Sequence, residues 1–288
     1  MLSAADETAL AEVAITAARG AGAIVASSRP TSVEHKDGGH SRASQVVTEV
    51  DRRSEAAILE ALDPTLERYR IGLLSEERED DGSRHARAHF WCIDPLDGTL
   101  PFIEGQPGYA VSVALLDRDG TPRIGVVFDP VEGRLLHAIR GRGVFVDGAA
   151  WRPPPARAGL CLSADRGLLA WDRRTEVVAA IETIATDLGL GPVTVVAEGG
   201  AVMAACRVLL DPPACFLKLP KPEPGGGSVW DYAATACLVT EAGGVVTDAA
   251  GDPLALNDRA TTFMNARGVL MASDARLAAA IRRFASAG

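Results

Sequence analysis

The stretch Phe90-Trp91-Cys92-Ile93-Asp94-Pro95-Leu96-Asp97-Gly98-Thr99 runs four apolar residues straight into two acids, a proline, a glycine and a hydroxyl. The apolar half has the length and character of a buried strand, since enclosing each large side chain is worth about 1.5–3 kcal/mol. The second half has no place in a core. Two carboxylates three positions apart around a rigid proline make a ligand turn. Hard divalent cations suit it, because Mg²⁺ prefers oxygen donors in octahedral geometry and keeps part of its water shell for a substrate phosphate.

Further acids stand where other extended segments end. Asp51 follows Val46–Val50, Glu76-Glu77 follows the strand expected at Arg70–Leu74, and Asp231 follows a Gly-rich loop, Lys221–Ser228. Carboxylates at strand ends converge when the strands share a sheet. Around them the first half reads as a helix from Leu10 to about Ser28, a polar loop from Thr31 to Ser44, and a helix from Arg52 to Leu62 stopped by Asp63-Pro64. Short strands follow at Ala110–Leu116, Arg123–Phe128, Arg134–Ile139 and Gly143–Val146. Their Asp119-Gly120 and Asp147-Gly148 turns suit antiparallel hairpins.

After Pro153-Pro154-Pro155 strands and helices alternate: strands at Leu160–Ser163, Val193–Val196, Cys215–Leu219, Val245–Asp248 and Val269–Ala272, helices at Arg173–Leu188, Ala201–Leu210, Asp231–Glu241 and Ala275–Ala285. The grammar gives an α+β half over residues 1–154, carrying most of the acids, and an α/β half over 155–288 that supplies Asp231 and the Gly-rich loop.

Composition narrows the function classes. Among 288 residues, 29 basic and 38 acidic side chains leave a net charge of −9, which disfavours nucleic acid or an anionic membrane as partner. Aromatic residues are 5% of the chain, too few for base-stacking platforms. Five cysteines without C-x-x-C spacing fit a reduced interior, and Asp6-Glu7 stand where a secretory leader needs positive charge. No apolar run is expected to reach the roughly 18 residues of a membrane span. The expectation is a cytoplasmic protein. The histidines, His35, His40, His85, His89 and His137, are scattered and read as surface or loop residues.

Asp94-Pro95-Leu96-Asp97-Gly98-Thr99 resembles the D-P-[IL]-D-G-T motif of the inositol monophosphatase superfamily, Mg²⁺-dependent and lithium-sensitive phosphomonoesterases. Trp230-Asp231-Tyr232-Ala233-Ala234, with Glu241-Ala242-Gly243-Gly244 downstream, resembles its second motif, and Val47–Asp51 and Leu74–Glu77 match the two remaining acidic elements in order. The resemblance covers nearly the whole chain and implies a layered αβαβα sandwich of helix pairs and sheets. It implies two or three Mg²⁺ per site. The first would be held by Glu76, Asp94 and the Leu96 carbonyl, the second by Asp94, Asp97 and Asp231, and a third would sit near Glu76. Asp51 and Thr99 would orient the attacking water, and Glu76 would also serve catalysis. Gly98 and Thr99 would open a helix toward the phosphate, a sound use of free N–H groups and a positive dipole end.

For the substrate, a small phosphorylated metabolite, the resemblance leans to the 3′(2′),5′-bisphosphate nucleotidase branch, with inositol monophosphate as the other candidate. Inositol-1-monophosphatase proper, fructose-1,6-bisphosphatase and histidinol phosphatase are alternatives, and a non-catalytic phosphate sensor is the reading from another class. Gly200, Ala201, Lys218, Lys221 and Glu223 are the candidate substrate contacts beside Gly98 and Thr99. Leu100-Pro101 stands where the nucleotidase branch carries Lys-Glu. Gly199-Gly200-Ala201 stands where members acting on inositol phosphates carry Gly-Ser or Gly-Thr. A homodimer inhibited by Li⁺ is also implied. Trp230 reads as a packing residue and Glu241 as part of a helix end.

Overall fold

In the computed structural model the Phe90 stretch lies in the interior of a seven-stranded sheet, and the structure describes residues 2–29, 33–35, 46–164, 166–170, 172–225 and 227–285. The chain begins with α1 (Ala4–Ser27), β1 (Val33–His35), β2 (Val46–Thr48) and α2 (Glu49–Tyr69). There follow β3 (Gly72–Ser75), α3 (Ser83–Ala86), β4 (His89–Asp97) and α4 (Thr99–Ile103). The meander β5 (Ala110–Asp117), β6 (Pro122–Asp129), β7 (Arg134–Ile139), β8 (Val144–Val146) and β9 (Ala149–Ala150) completes the first sheet, in the order β3-β4-β5-β6-β7-β8-β9. Only the β3–β4 pair is parallel. At the hairpin tip Asp147 and Gly148 both take positive φ, 51° and 82°, as a two-residue turn between twisted strands requires.

The rest is β10 (Leu160–Ser163), α5 (Arg174–Asp187), β11 (Val193–Val196), α6 (Ala201–Leu210), β12 (Ala214–Lys218), α7 (Val229–Glu241), β13 (Val245–Thr247), β14 (Val269–Ala272) and α8 (Ala275–Ala285), with a short 3₁₀ turn at Arg166–Ala170. Its five strands form a second sheet, β11-β10-β12-β14-β13.

Alternation along the strands sets the layers. Trp91, Ile93, Val111, Val113 and Leu115 face α1 and α2, while Phe90, Cys92, Ala114 and Leu116 face α6 and α7. The far sides of α6 and α7 meet Phe216, Val269 and Met271 of the second sheet, whose other face, through Leu162, Leu217 and Leu270, packs on α5 and α8. The result is the αβαβα sandwich expected from the sequence. Both faces of each sheet are covered, which is why the strands read as continuous apolar runs. The middle core joins residues from both sides of the proline run.

Three local expectations are corrected. The second helix does not stop at Leu62: α2 runs to Tyr69 with Pro64 inside it. The Thr65 hydroxyl donates to the Leu62 carbonyl at 2.6 Å and accepts from Trp91 Nε1 at 2.9 Å, so the turn around the proline is tied to the sheet. Helix α2 also starts earlier, at Glu49, which puts Asp51 in its first turn instead of an extended segment. Finally, α1 is long and apolar enough to cross a membrane by length and composition, with a mean hydropathy of 1.5 in its most apolar window. Its apolarity is largely alanine, and Leu10, Ala14, Ala17, Ala18, Ala21 and Val25 are buried against the first core. Most of the loop expected at residues 31–44 lies outside the described residues, although Val33–His35 pair with β2.

Candidate active site

The first sheet delivers two acids directly. Strand β4 continues past Ile93 through Asp94 and reaches Asp97, with its pairing to β5 irregular between those two residues. Asp94 and Asp97 are both buried, at 1% and 7% exposure. Gly98 then turns the chain with φ +81°, a conformation glycine adopts without steric cost, and α4 starts at Thr99 as the sequence implied. Asp231 arrives from the facing layer, on the first turn of α7. One carboxylate oxygen from each of Asp94, Asp97 and Asp231 lies within 4.8 Å of the others. Glu76, just past β3, stands beside Asp94, close enough for its charge to raise that carboxyl.

Four aspartates are held by the fold itself. Asp51 Oδ2 closes a capping box on Thr48, accepting its N–H at 2.8 Å and its hydroxyl, while Oδ1 accepts from the Thr99 hydroxyl at 3.1 Å. Asp231 repeats the device on Ser228, whose N–H it accepts at 2.8 Å. Asp94 Oδ1 accepts the Leu96 N–H at 3.0 Å, and Asp97 accepts from Ala201 at 3.1 Å and Val202 at 2.9 Å, the first two amides of α6. The Leu96 carbonyl accepts from Thr99 at 3.2 Å, and Ser54 Oγ holds the Pro95 carbonyl at 2.6 Å. Carboxylates oriented this way are pre-organised for a ligand.

The electrostatics show what is wanted. Burial, and then the neighbouring charges of Glu76, Asp97 and Asp231, hold the Asp94 carboxyl well above the usual range. Asp97 is likewise well above it, through burial and then Asp231, with the α6 amides opposing. Burial also raises Asp51, against the Thr48 and Thr99 hydrogen bonds. A buried cluster of like charges takes up protons or a cation. An all-oxygen donor set fits Mg²⁺.

A pH consequence follows. Groups with raised folded pKa values contribute stability that is present below the unfolded value and lost as pH rises through the folded one. A cation competes with protons for these carboxylates, so Mg²⁺ binding is expected to release protons and to tighten as pH rises. Calorimetry in two buffers of unequal ionisation enthalpy measures this. Identical heats would show that Asp94 and Asp97 are already ionised.

Three comparisons bear on the site. The model of the inositol monophosphatase family matches residues 6–285. The chain belongs to this family. A "Nus factor SuhB" of Salmonella typhimurium is 31% identical over 83% of this chain and 85% of its own. "Inositol monophosphatase 2" of Solanum lycopersicum is 30% identical over 88% and 93%. The solved IMPase of Thermotoga maritima, 21% identical, superposes with a TM-score of 0.71 over 96% of each chain, a likeness of fold.

Other residues fall elsewhere. Lys218, on β12, sets its ammonium 5.9 Å from the Tyr232 ring centre. The Lys221 backbone N–H donates to the Asn265 carbonyl and its carbonyl accepts from Asn265 Nδ2, and Glu223 is exposed in the same loop. The Ala201 amide is engaged by Asp97. His89 is a correction: it is buried in β4, with Nδ1 2.8 Å from Asp117, the residue paired opposite it on β5. His137 is half-buried and stacks on Phe145, and His40 lies outside the described residues. Trp230 packs on the middle core, and Glu241 accepts the N–H groups of Gly141 and Gly143 at 2.9 and 2.8 Å. The positioning partners Thr48, Ser54, Ser228 and Val202 escaped the sequence reading. The T-x-x-D and S-x-x-D spacings before Asp51 and Asp231 were the available signal.

Proposed function

We propose that this chain is a Mg²⁺-dependent phosphomonoesterase acting on a small phosphorylated metabolite, 3′-phosphoadenosine 5′-phosphate or an inositol monophosphate, by attack of water on phosphorus. The observation that carries it is the convergence of buried Asp94 and Asp97 with half-buried Asp231, and Glu76 beside Asp94. Glu76, Asp94 and the Leu96 carbonyl would hold one cation, and Asp94, Asp97 and Asp231 another. Bound there, Mg²⁺ supplies a water of lowered pKa and neutralises charge building on the leaving oxygen. Asp51, through Thr99, orients the hydroxyl group that faces the attacking water and is placed to take its proton. Gly98 and Thr99 present the start of α4 toward the phosphate. The reading includes a homodimer in the cytoplasm, inhibited by Li⁺, that takes no nucleic acid.

The name of the Salmonella relative supports a second reading, a Nus-factor role without turnover. A set of four buried or half-buried acids on one another favours chemistry, since a binding module has no use for their mutual repulsion. The test is a phosphate-release panel in millimolar Mg²⁺, with and without Li⁺, over inositol 1-phosphate, 3′-phosphoadenosine 5′-phosphate, fructose 1,6-bisphosphate and histidinol phosphate. One of the first two is expected to turn over fastest and to be inhibited by Li⁺. Silence across the panel would sink the enzyme reading.

A further inference from the structure

Glu55 is a buried acid with no part in the proposed chemistry. It stands on α2 one turn after Asp51, 8% exposed. Its Oε1 accepts from the Ser75 hydroxyl at 2.6 Å, and its Oε2 lies 3.6 Å from Arg78 Nε. Ser75 ends β3 and Arg78 follows the two glutamates, so one carboxyl group holds both flanks of Glu76-Glu77. The Arg78 side chain is 56% exposed, and an ion pair so placed adds little. Ser75 is 3% exposed, so water does not compete for its bond, and that bond is the stronger hold.

The pleat of β3 turns this contact into an aim. Successive strand side chains point to opposite faces, so what fixes Ser75 on one face fixes its neighbour on the other. Leu74 packs in the core shared with α6 and α7, whereas Leu73 and Ile93, the residue paired with Ser75, pack in the core shared with α1 and α2. Ser75 therefore faces α2, where Glu55 meets it, and Glu76 faces the layer of α7, beside Asp94. The Glu76 N–H continues the ladder, donating to the Ile93 carbonyl at 3.2 Å. On the same helix Ser54 holds the Pro95 carbonyl and Asp51 holds Thr99. The first two turns of α2 thus tie down the end of β3, the turn after Asp94 and the start of α4.

We propose that Glu55 is a positioning residue of the metal centre: through the Ser75 hydroxyl it fixes the end of β3, and so the direction from which Glu76 reaches a cation. The proposal rests on the reading of Glu76 as a cation ligand. It gives a role to a buried acid outside the ligand set, and it makes the hydroxyl directly before Glu76 part of that ligand's support.

The test is calorimetric titration of the full chain with Mg²⁺ or Mn²⁺ alone, for the wild type, Ser75→Ala, Glu55→Ala, Glu76→Ala and their double variants. Ser75→Ala is expected to weaken the metal by about tenfold, the scale of losing a group that orients a ligand. Glu55→Ala should match it, and the two together should lose no more than about twofold beyond either alone. In the Glu76→Ala background each change should cost less than about twofold, because the ligand it aims is gone. Phosphate release by Ser75→Ala should return as Mg²⁺ is raised, a rescue that a purely structural defect would not show. Thr65→Ala is the control for lost stability: it removes another buried hydroxyl, on the same helix about 20 Å along the axis from Asp51, and should leave metal affinity within about twofold. If the wild type binds no metal, the functional reading itself fails. If it binds and Glu76→Ala binds as tightly, the assignment of Glu76 fails and the proposal with it. If Ser75→Ala and Glu55→Ala bind as tightly as the wild type, lose as much without Glu76, or lose no more than Thr65→Ala, the positioning role is overturned. Should one of the two fail to fold, the other carries the same expectations, and failure of both overturns the proposal.

Discussion

Asp94→Asn is expected to abolish phosphate release while raising the melting temperature of the metal-free protein. The side chain is 1% exposed and stands among Glu76, Asp97 and Asp231, so its ionised form is disfavoured by burial and by three like charges. Asparagine keeps the volume, and its carbonyl oxygen still accepts the Leu96 N–H. What is lost is charge. Removing a buried, repelled carboxylate relieves about 1–3 kcal/mol, and each kcal/mol moves the midpoint by about 2–4 °C in a chain near this size. Activity should fall by about 1,000-fold, as when a group acting on developing charge is deleted. Differential scanning calorimetry in chelator and a phosphate-release assay measure the two halves. Lower stability together with lower activity would mark Asp94 as a structural residue and remove it from the cation site.

Asp51→Asn is expected to separate chemistry from metal binding. Asp51 touches Thr99 and Thr48 and is absent from the tight group of Asp94, Asp97 and Asp231. The amide of asparagine would donate to Thr99 Oγ1, turning the hydroxyl proton toward the Leu96 carbonyl, the other acceptor it already has at 3.2 Å. The proton acceptor is lost and the fold keeps its cap, since the asparagine oxygen still accepts the Thr48 N–H. Turnover should drop by about 100- to 10,000-fold, the range for a lost general base. The Mg²⁺ dissociation constant should change by less than about twofold. A large loss of Mg²⁺ affinity in calorimetry would place Asp51 among the cation ligands and leave the base unassigned. Thr99→Val is the companion variant, expected to lower turnover in the same way while metal binding holds.

Much of this was legible in the sequence because the informative residues are local. Phe90–Ile93 and the acids after it are one strand and its exit, and a strand that is apolar on both faces identifies itself without knowledge of its neighbours. The same holds for Asp147-Gly148, where two positive φ angles demand those residue types. What was not legible depends on distant partners. Pro64 reads as a stop, yet the helix passes through it because Thr65 is anchored to Trp91, 26 residues on. His89 reads as an ordinary polar residue, and only the β4–β5 pairing places Asp117 opposite it. Asp97 and the α6 amides are 104 and 105 positions apart, and no spacing in the chain announces that contact. The acids of the site were named by pattern. The hydrogen bonds that aim them belong to the packing of one layer on the next.

The most direct test of the metal-dependent chemistry is phosphate release by the wild-type chain in millimolar Mg²⁺, after chelation, and after Mg²⁺ is restored, with Asp94→Asn in parallel. The expected result is turnover that disappears with chelator, returns with Mg²⁺ and is absent from Asp94→Asn throughout. Turnover that persists in chelator, or that Asp94→Asn retains, would contradict it.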